Sequence, residues 1–449
     1  MTYYTQRAIA AILATSSLAL SQWSQRSPAT SPSARVGAAM AFVPQNNGLL
    51  LFGGSTPLNS NQTWVYDGVD WLQLAPASSP SARFGHSFVY DVARGVGVLY
   101  GGLATFISIP PPTDETWEWD GTTWTQVAPA TNLGPRYRQG ACFDSIRGRT
   151  VLYGGASTQL LGPPNNDTWE YDGTAWTQVA TTGNPGPIER PAMCYYQGIA
   201  RAVLFGGGTG NGVSDETWLY DGFAATWTQV AITGPQPSAR SSATMVYDAT
   251  HDLCVLTGGQ DASGALSDTW VFDGANWIEQ PTTTQAVRDH VFAYLPTTAQ
   301  AVKFGGFVAA PNTLSSETWE VGSGAFGSGC AGAAGVPAAS AASAPQIGQS
   351  WTLDVTGLAP TSSLAVVALG LTKAPGVDLS FLGMTGCRAF TSPDVLLSVT
   401  AGGGSASWTW TSVAGPAGAG FYAQVLCLDP AANAFGFTAS NALYATLVN

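Results

Sequence analysis

The sequence predicts an all-β chain, a six-bladed β-propeller followed by a small C-terminal β-sandwich. Three observations lead there. One motif recurs six times at intervals of 47 to 53 residues, the composition favours tight turns and buried aromatics, and the repetition stops after Gly322. Periods of 20–50 residues are the mark of arrays built from one supersecondary unit, each unable to bury its apolar face alone.

The repeat is anchored by a Gly-Gly pair beginning at Gly53, Gly101, Gly154, Gly206, Gly258 and Gly305. A short apolar run precedes each pair, and a Thr-Trp follows it, at Trp64, Trp117, Trp169, Trp218, Trp270 and Trp319. In the first five copies an aromatic-Asp-Gly turn comes next, then a second Trp at Trp71, Trp124, Trp176, Trp227 and Trp277. Each copy reads as four strands. The first starts after an arginine (Arg35, Arg83, Arg136, Arg190, Arg240, Arg288), the second closes on Gly-Gly, and the third carries Thr-Trp. The fourth is joined to the third by Asp-Gly, a strong hairpin signal because glycine accepts positive φ without steric cost. Four antiparallel strands repeated in this way make propeller blades.

The sixth copy lacks its second Trp. Trp23-Ser24-Gln25 has the Trp-x-Gln form of the outer strands, and Trp23 lies 12 residues before Arg35, within the 11 to 14 found elsewhere. The N-terminal strand is therefore expected to complete blade six and close the ring, which removes exposed sheet edges. Domain boundaries follow: a signal peptide over 1–21, the propeller over 22–322, a Gly/Ser linker over 323–329 and a β-sandwich over 330–449.

The signal-peptide reading rests on Arg7, the 13-residue apolar stretch Ala8 to Leu20, and small residues Ala19 and Ser21 before the cut. That stretch is too short to span a bilayer, and no later segment qualifies, so a secreted or cell-surface protein without a membrane span is expected. Charged residues make up only 10% of the chain and its net charge is -12. An acidic surface repels phosphate backbones, so nucleic acid is excluded as a partner class.

With arginine, Gly-Gly and Trp at these spacings, the segment from about Ser33 to Gly322 resembles the kelch repeat. That resemblance implies a propeller with a ligand face. The run Asp429 to Gly436 and Ser440-Asn441-Ala442-Leu443 resembles C-terminal domains appended to exported bacterial repeat proteins, which implies a surface or sorting accessory. The fold also hosts enzymes of the galactose-oxidase family and sialic-acid epimerases. The first needs two His and two Tyr around copper, one Tyr cross-linked to Cys, whereas this chain has only His86, His251 and His290. No nucleophile motif, phosphate loop or metal-ligand spacing appears, so no cofactor or metal is expected.

The functional expectation is a non-catalytic binding or scaffold protein that recognises a protein or glycan. A carbohydrate-active enzyme with its site at the channel mouth is the second reading. The candidate ligand residues stand where the first strands begin: Arg83, His86, Arg136, Arg138, Asp289 and His290. The acids before each Thr-Trp (Glu115, Asp167, Glu216, Asp268, Glu317, with Gln62 in blade one) read as partners for groups in their own blades. Cys330 and Cys387 are expected to pair. Cys254 reads as a buried thiol, and Cys142 and Cys194, on neighbouring blades, as thiols that could approach each other.

Overall fold

The computed structural model describes residues 23–56, 58–104, 112–158, 163–280, 284–308 and 312–321 in full, together with the backbone of strands as far as Phe437–Thr446. The signal-peptide span 1–21, the linker 323–329, Cys330 and Cys387 lie outside the described residues. Among the described residues the only helical elements are single 3-10 turns at Pro44–Asn46 and Gln197–Ile199.

Six four-stranded antiparallel sheets form the propeller. Blade one comprises Ala39–Val43, Gly48–Phe52, Thr63–Tyr66 and Trp71–Leu74, hydrogen-bonded in that order. Blades two to five repeat the plan. Blade six takes Val291–Leu295, Gln300–Phe304 and Thr318–Gly322 from the end of the repeat array and Ser24–Arg26 from its beginning. Gln25 pairs with Trp319 and Arg26 with Thr318, so the ring closes across nearly 300 residues of chain.

Each blade buries the run before Gly-Gly completely; Leu49, Leu50, Leu51 and Phe52 are all 0% exposed. The outer Trp supplies the contact between blades. Trp71 packs against Phe304, Trp124 against Phe52, Trp176 against Tyr100, Trp227 against Tyr153 and Trp277 against Phe205, tilted or edge to face with ring centroids 4.8–5.1 Å apart. In all six blades its indole N–H donates to the Thr of the preceding blade's Thr-Trp, a buried polar group satisfied without water. The Gly-Gly pair is needed because both residues take positive φ at the blade junction. A Cβ on Gly53 would stand 2.7 Å from the Arg83 carbonyl, and the Gly54 N–H donates to that same oxygen at 2.9 Å.

Beyond the propeller, a second compact unit holds strands in three sheets. Ala338–Ala341, Trp351–Thr356 and Ser405–Trp410 form one. Val395–Thr400, Leu364–Gly370, Gly420–Leu428 and Phe437–Thr446 form the second, and Lys373–Asp378 pairs with Arg388–Thr391.

Candidate functional site

The first strands of the six blades surround an axial channel of about 470 Å3. Alternation along a strand turns every second side chain inward, and the lining mixes apolar residues such as Met40, Val89 and Val246 with polar ones such as Ser87, Gln139 and Thr244. Toward the turns between first and second strands, Phe42, Tyr90, Phe143, Tyr195, Tyr247 and Tyr294 occupy equivalent positions and collar the channel.

The other mouth, where the first strands begin, is built from backbone. Gly37 N–H donates to the Asp289 carbonyl, Gly85 to Gly37, Arg138 to Gly85, Arg190 to Arg138, Ser242 to Arg190 and Asp289 to Ser242, at 2.6–3.2 Å. These six bonds form a closed circle, one per blade. All six residues have φ between 54° and 67°. Glycine takes this conformation freely, whereas other L-residues pay roughly 1–2 kcal/mol each. Arg138, Arg190, Ser242 and Asp289 hold it nonetheless.

This circle also fixes the repeat register. The residue two positions before each circle member has its carbonyl on the second Gly of the preceding blade: Arg35, Arg83, Arg136, Ile188, Arg240 and Val287. Arg190 and Arg288 are therefore not the equivalents of the repeat arginine, contrary to the alignment by nearest arginine. Loop lengths drift between blades, and an arginine displaced by one or two residues mimics the motif.

The true repeat arginines are braces. Arg83 is 0% exposed. It donates to the Gly101 carbonyl, Thr113 Oγ1 and Ser81 and pairs with Glu115. Arg136 donates to the Gly154 carbonyl at 3.0 Å and to both oxygens of Asp167. Arg240 repeats the arrangement with Gly258 and Asp268, and Arg35 with Gly53 and Gln62. Burial lowers the Arg83 pKa, with Glu115 opposing, while Arg83 holds the Glu115 carboxyl below its ordinary range against its own burial. Each acid, and Gln62, also accepts the indole N–H of the Trp two residues on, so the acids serve their own blades instead of converging on the axis.

His86 and His290 occupy one position in blades two and six and fill the junction with the preceding blade. Burial, then the charge of Arg83, pushes His86 down to about 3; burial, then Lys303, holds His290 well below its ordinary value. Both rings are thus neutral. His290 Nε2 lies 2.6 Å from Thr244 Oγ1, and Gln139, in the same position of blade three, donates to Ser87 Oγ and the Tyr100 carbonyl. His251 belongs to the opposite end of blade five, where Asp248 holds its Nδ1 at 2.5 Å. The three histidines do not come together. Among the described residues no group of three or more His, Cys, Asp and Glu is placed to hold a metal ion.

Of the six sequence-derived candidates, Arg138 and Asp289 remain at the mouth, and the structure adds Glu189, Arg190 and Arg288 beside them. Arg138 lies over the Tyr137 ring at 4.7 Å and 3.5 Å from Glu189; Arg288 lies over Phe307 at 4.3 Å and bonds Asp289 at 2.8 Å. These side chains are about one-quarter exposed. The circle's neighbours Phe84 and Tyr137 meet edge to face.

Six blades with these braces, Gly-Gly junctions and interlocking Trp define a six-bladed β-propeller. Residues 113–306 match the model of the KLHDC2/KLHL20/DRC7 Kelch-repeats domain. The chain is also 28% identical over 197 residues to the dynein alpha chain of the flagellar outer arm of Chlamydomonas reinhardtii, over 39% of this chain and 4% of that protein. It thus spans a small fraction of that relative's length.

Proposed function

We propose that this chain is an exported, non-catalytic recognition protein that holds a protein partner at the propeller mouth formed by Arg138, Glu189, Arg190, Arg288 and Asp289. The observation that carries this reading is the occupancy of the hydrogen-bond circle. Gly37 and Gly85 show that glycine serves the backbone there, yet Arg138, Arg190, Ser242 and Asp289 keep side chains at a conformational cost. Arginine beside aromatic rings is the combination enriched at the energetic centres of protein interfaces. Three arginines against Glu189 and Asp289 leave the mouth net positive in a chain of net charge -12, which favours an acidic segment as the bound element. Export is supported by the apolar N-terminal stretch and by the burial of Trp23 just after the expected cut. The C-terminal strands would complete a separate β-sandwich that acts as a surface or sorting accessory.

Peptide-display selection on the purified full chain, counter-selected against the double variant Arg138→Gly/Arg190→Gly, tests the assignment. Glycine preserves the circle, so the variant should stay folded and lose selected acidic peptides by tenfold or more. Equal recovery on both proteins would remove the mouth as the site. A parallel glycan array decides the competing ligand class: selective retention of anionic glycans, abolished by the same variant, would replace the protein partner with a sugar.

A further inference from the structure

Three thiols lie among the described residues, and two of them touch. Cys194 Sγ and Cys254 Sγ stand 3.2 Å apart, inside the van der Waals separation of two sulfurs and about 1.2 Å from the length of a covalent bond. Cys194 is the third residue of the first strand of blade four, paired with Val203. Cys254 is on the second strand of blade five, paired with Phe272. The two therefore face each other across a blade junction, 60 residues apart in sequence.

The repeat supplies five internal comparisons. The equivalent pairs at the other junctions are Ala41 and Gly97, Val89 and Thr150, Cys142 and Ala202, Val246 and Ala301, and Ala293 and Leu49. Only the junction of blades four and five has cysteine on both sides. Cys142 faces an alanine in this relation, which leaves it as the odd thiol. The pairing of Cys142 with Cys194 considered from sequence is thus displaced by a nearer neighbour of Cys194.

We propose that Cys194 and Cys254 are a disulfide-forming pair that links blades four and five. The oxidant is a small-molecule or protein disulfide. The Cys194 thiolate attacks one sulfur of the donor, forming a mixed disulfide and releasing one thiolate. Cys254, deprotonated, then attacks the Cys194 sulfur and expels the second. The protein loses two protons and two electrons, and the donor disulfide takes them up to become two thiols. Both residues are buried, Cys194 at 7% and Cys254 at 0% exposure, so Cys194 is the less enclosed of the two sulfurs. Burial raises the Cys194 thiol well above its ordinary value, with Cys254 adding to the effect. Attack in the folded ring is consequently slow, and the bond forms most readily before the blades close.

The test uses the full chain refolded with oxidised glutathione, so it does not depend on export or on the proposed ligand. The product is denatured under acid, alkylated without reduction and digested. A linked peptide pair containing Cys194 and Cys254, with Cys142 alkylated and two hydrogens lost from that linkage, is the expected result. Alkylation of both Cys194 and Cys254, or a Cys142–Cys194 link, would overturn the assignment. Because Cys194→Ser or Cys254→Ser could impair packing, Cys142→Ala serves as the companion variant. It should leave the linked peptide unchanged, and its loss of that peptide would equally count against the pair.

Discussion

Trp23 Nε1 donates to Thr269 Oγ1 at 3.0 Å across 246 residues of sequence. The same bond joins the outer Trp of every other blade to the Thr of its predecessor, so the N-terminal strand is tied to blade five as blade one is tied to blade six. Lys303 stacks its ammonium 4.7 Å from the Trp23 ring, which makes the seam chemically unlike the five internal junctions.

Removing that side chain should open the seam. Trp23→Ala is expected to cost ~3 kcal/mol or more, from the lost burial and the cavity left behind. Thr269→Val keeps the volume but strands the indole N–H, with an expected loss of ~1–3 kcal/mol. Guanidinium denaturation of the full chain measures both. A Trp23→Ala variant as stable as the parent would show that the seam contributes nothing to ring closure.

Arginines near the mouth should divide into two kinds. Arg83→Ala removes a buried side chain, leaves the Gly101 carbonyl without that donor and leaves Glu115 with the Trp117 indole N–H, and should cost ~1–3 kcal/mol. Arg138→Gly and Arg190→Gly relieve a positive-φ residue and should change stability by no more than ~1 kcal/mol, in the stabilising direction. Thermal melts of the three variants check the contrast. Strong destabilisation by Arg138→Gly would assign that residue a bracing role.

Acid should act through the buried histidines. Each has a folded pKa below its unfolded value near 6.5, so the unfolded chain binds the extra protons. The stability they contribute is present above pH 6.5 and is lost as pH falls from there toward about 3 for His86. The double variant His86→Gln/His290→Gln borrows the residue that blade three uses at Gln139. Its melting temperature should fall less between pH 7 and pH 4 than that of the parent. Parallel curves would mean that carboxylates alone carry the acid response.

Lys303 makes the opposite variant informative. The other five blades place leucine at its position, as Leu51, Leu99, Leu152, Leu204 and Leu256. Burial pulls Lys303 from 10.5 down to about 7, with Glu317 opposing. Between those values the unfolded chain is protonated and the folded one is not. The cost of the lysine is therefore greatest below pH 7 and fades as pH rises toward 10.5. Lys303→Leu should raise the melting temperature at pH 6 by more than at pH 10. A larger gain at pH 10 would show that the charged lysine is a favourable partner for Glu317 and for the Trp23 and Trp319 rings, 4.7 and 5.8 Å from its ammonium.

The sequence by itself determined the blade. Gly-Gly, Thr-Trp, the Asp-Gly hairpin and the apolar runs encode local geometry, because positive φ, tight turns and period-two burial act over a few residues. The six Gly-Gly anchors mark the second strand of each blade. The mouth was another matter. Arg138 stood out in sequence as a departure from the repeat, but Arg190 was absorbed into the wrong register, since neither the circle of backbone bonds nor its drift against loop length has a local signature. Arg83 and Arg136 looked no different in sequence from arginines that reach a ligand, and only the carbonyls and carboxylates of the folded blade show them spent. The contact of Cys194 with Cys254 likewise belongs to the junction of two blades. Distances between blades are set by ring closure, and closure is a property of all six units packed together.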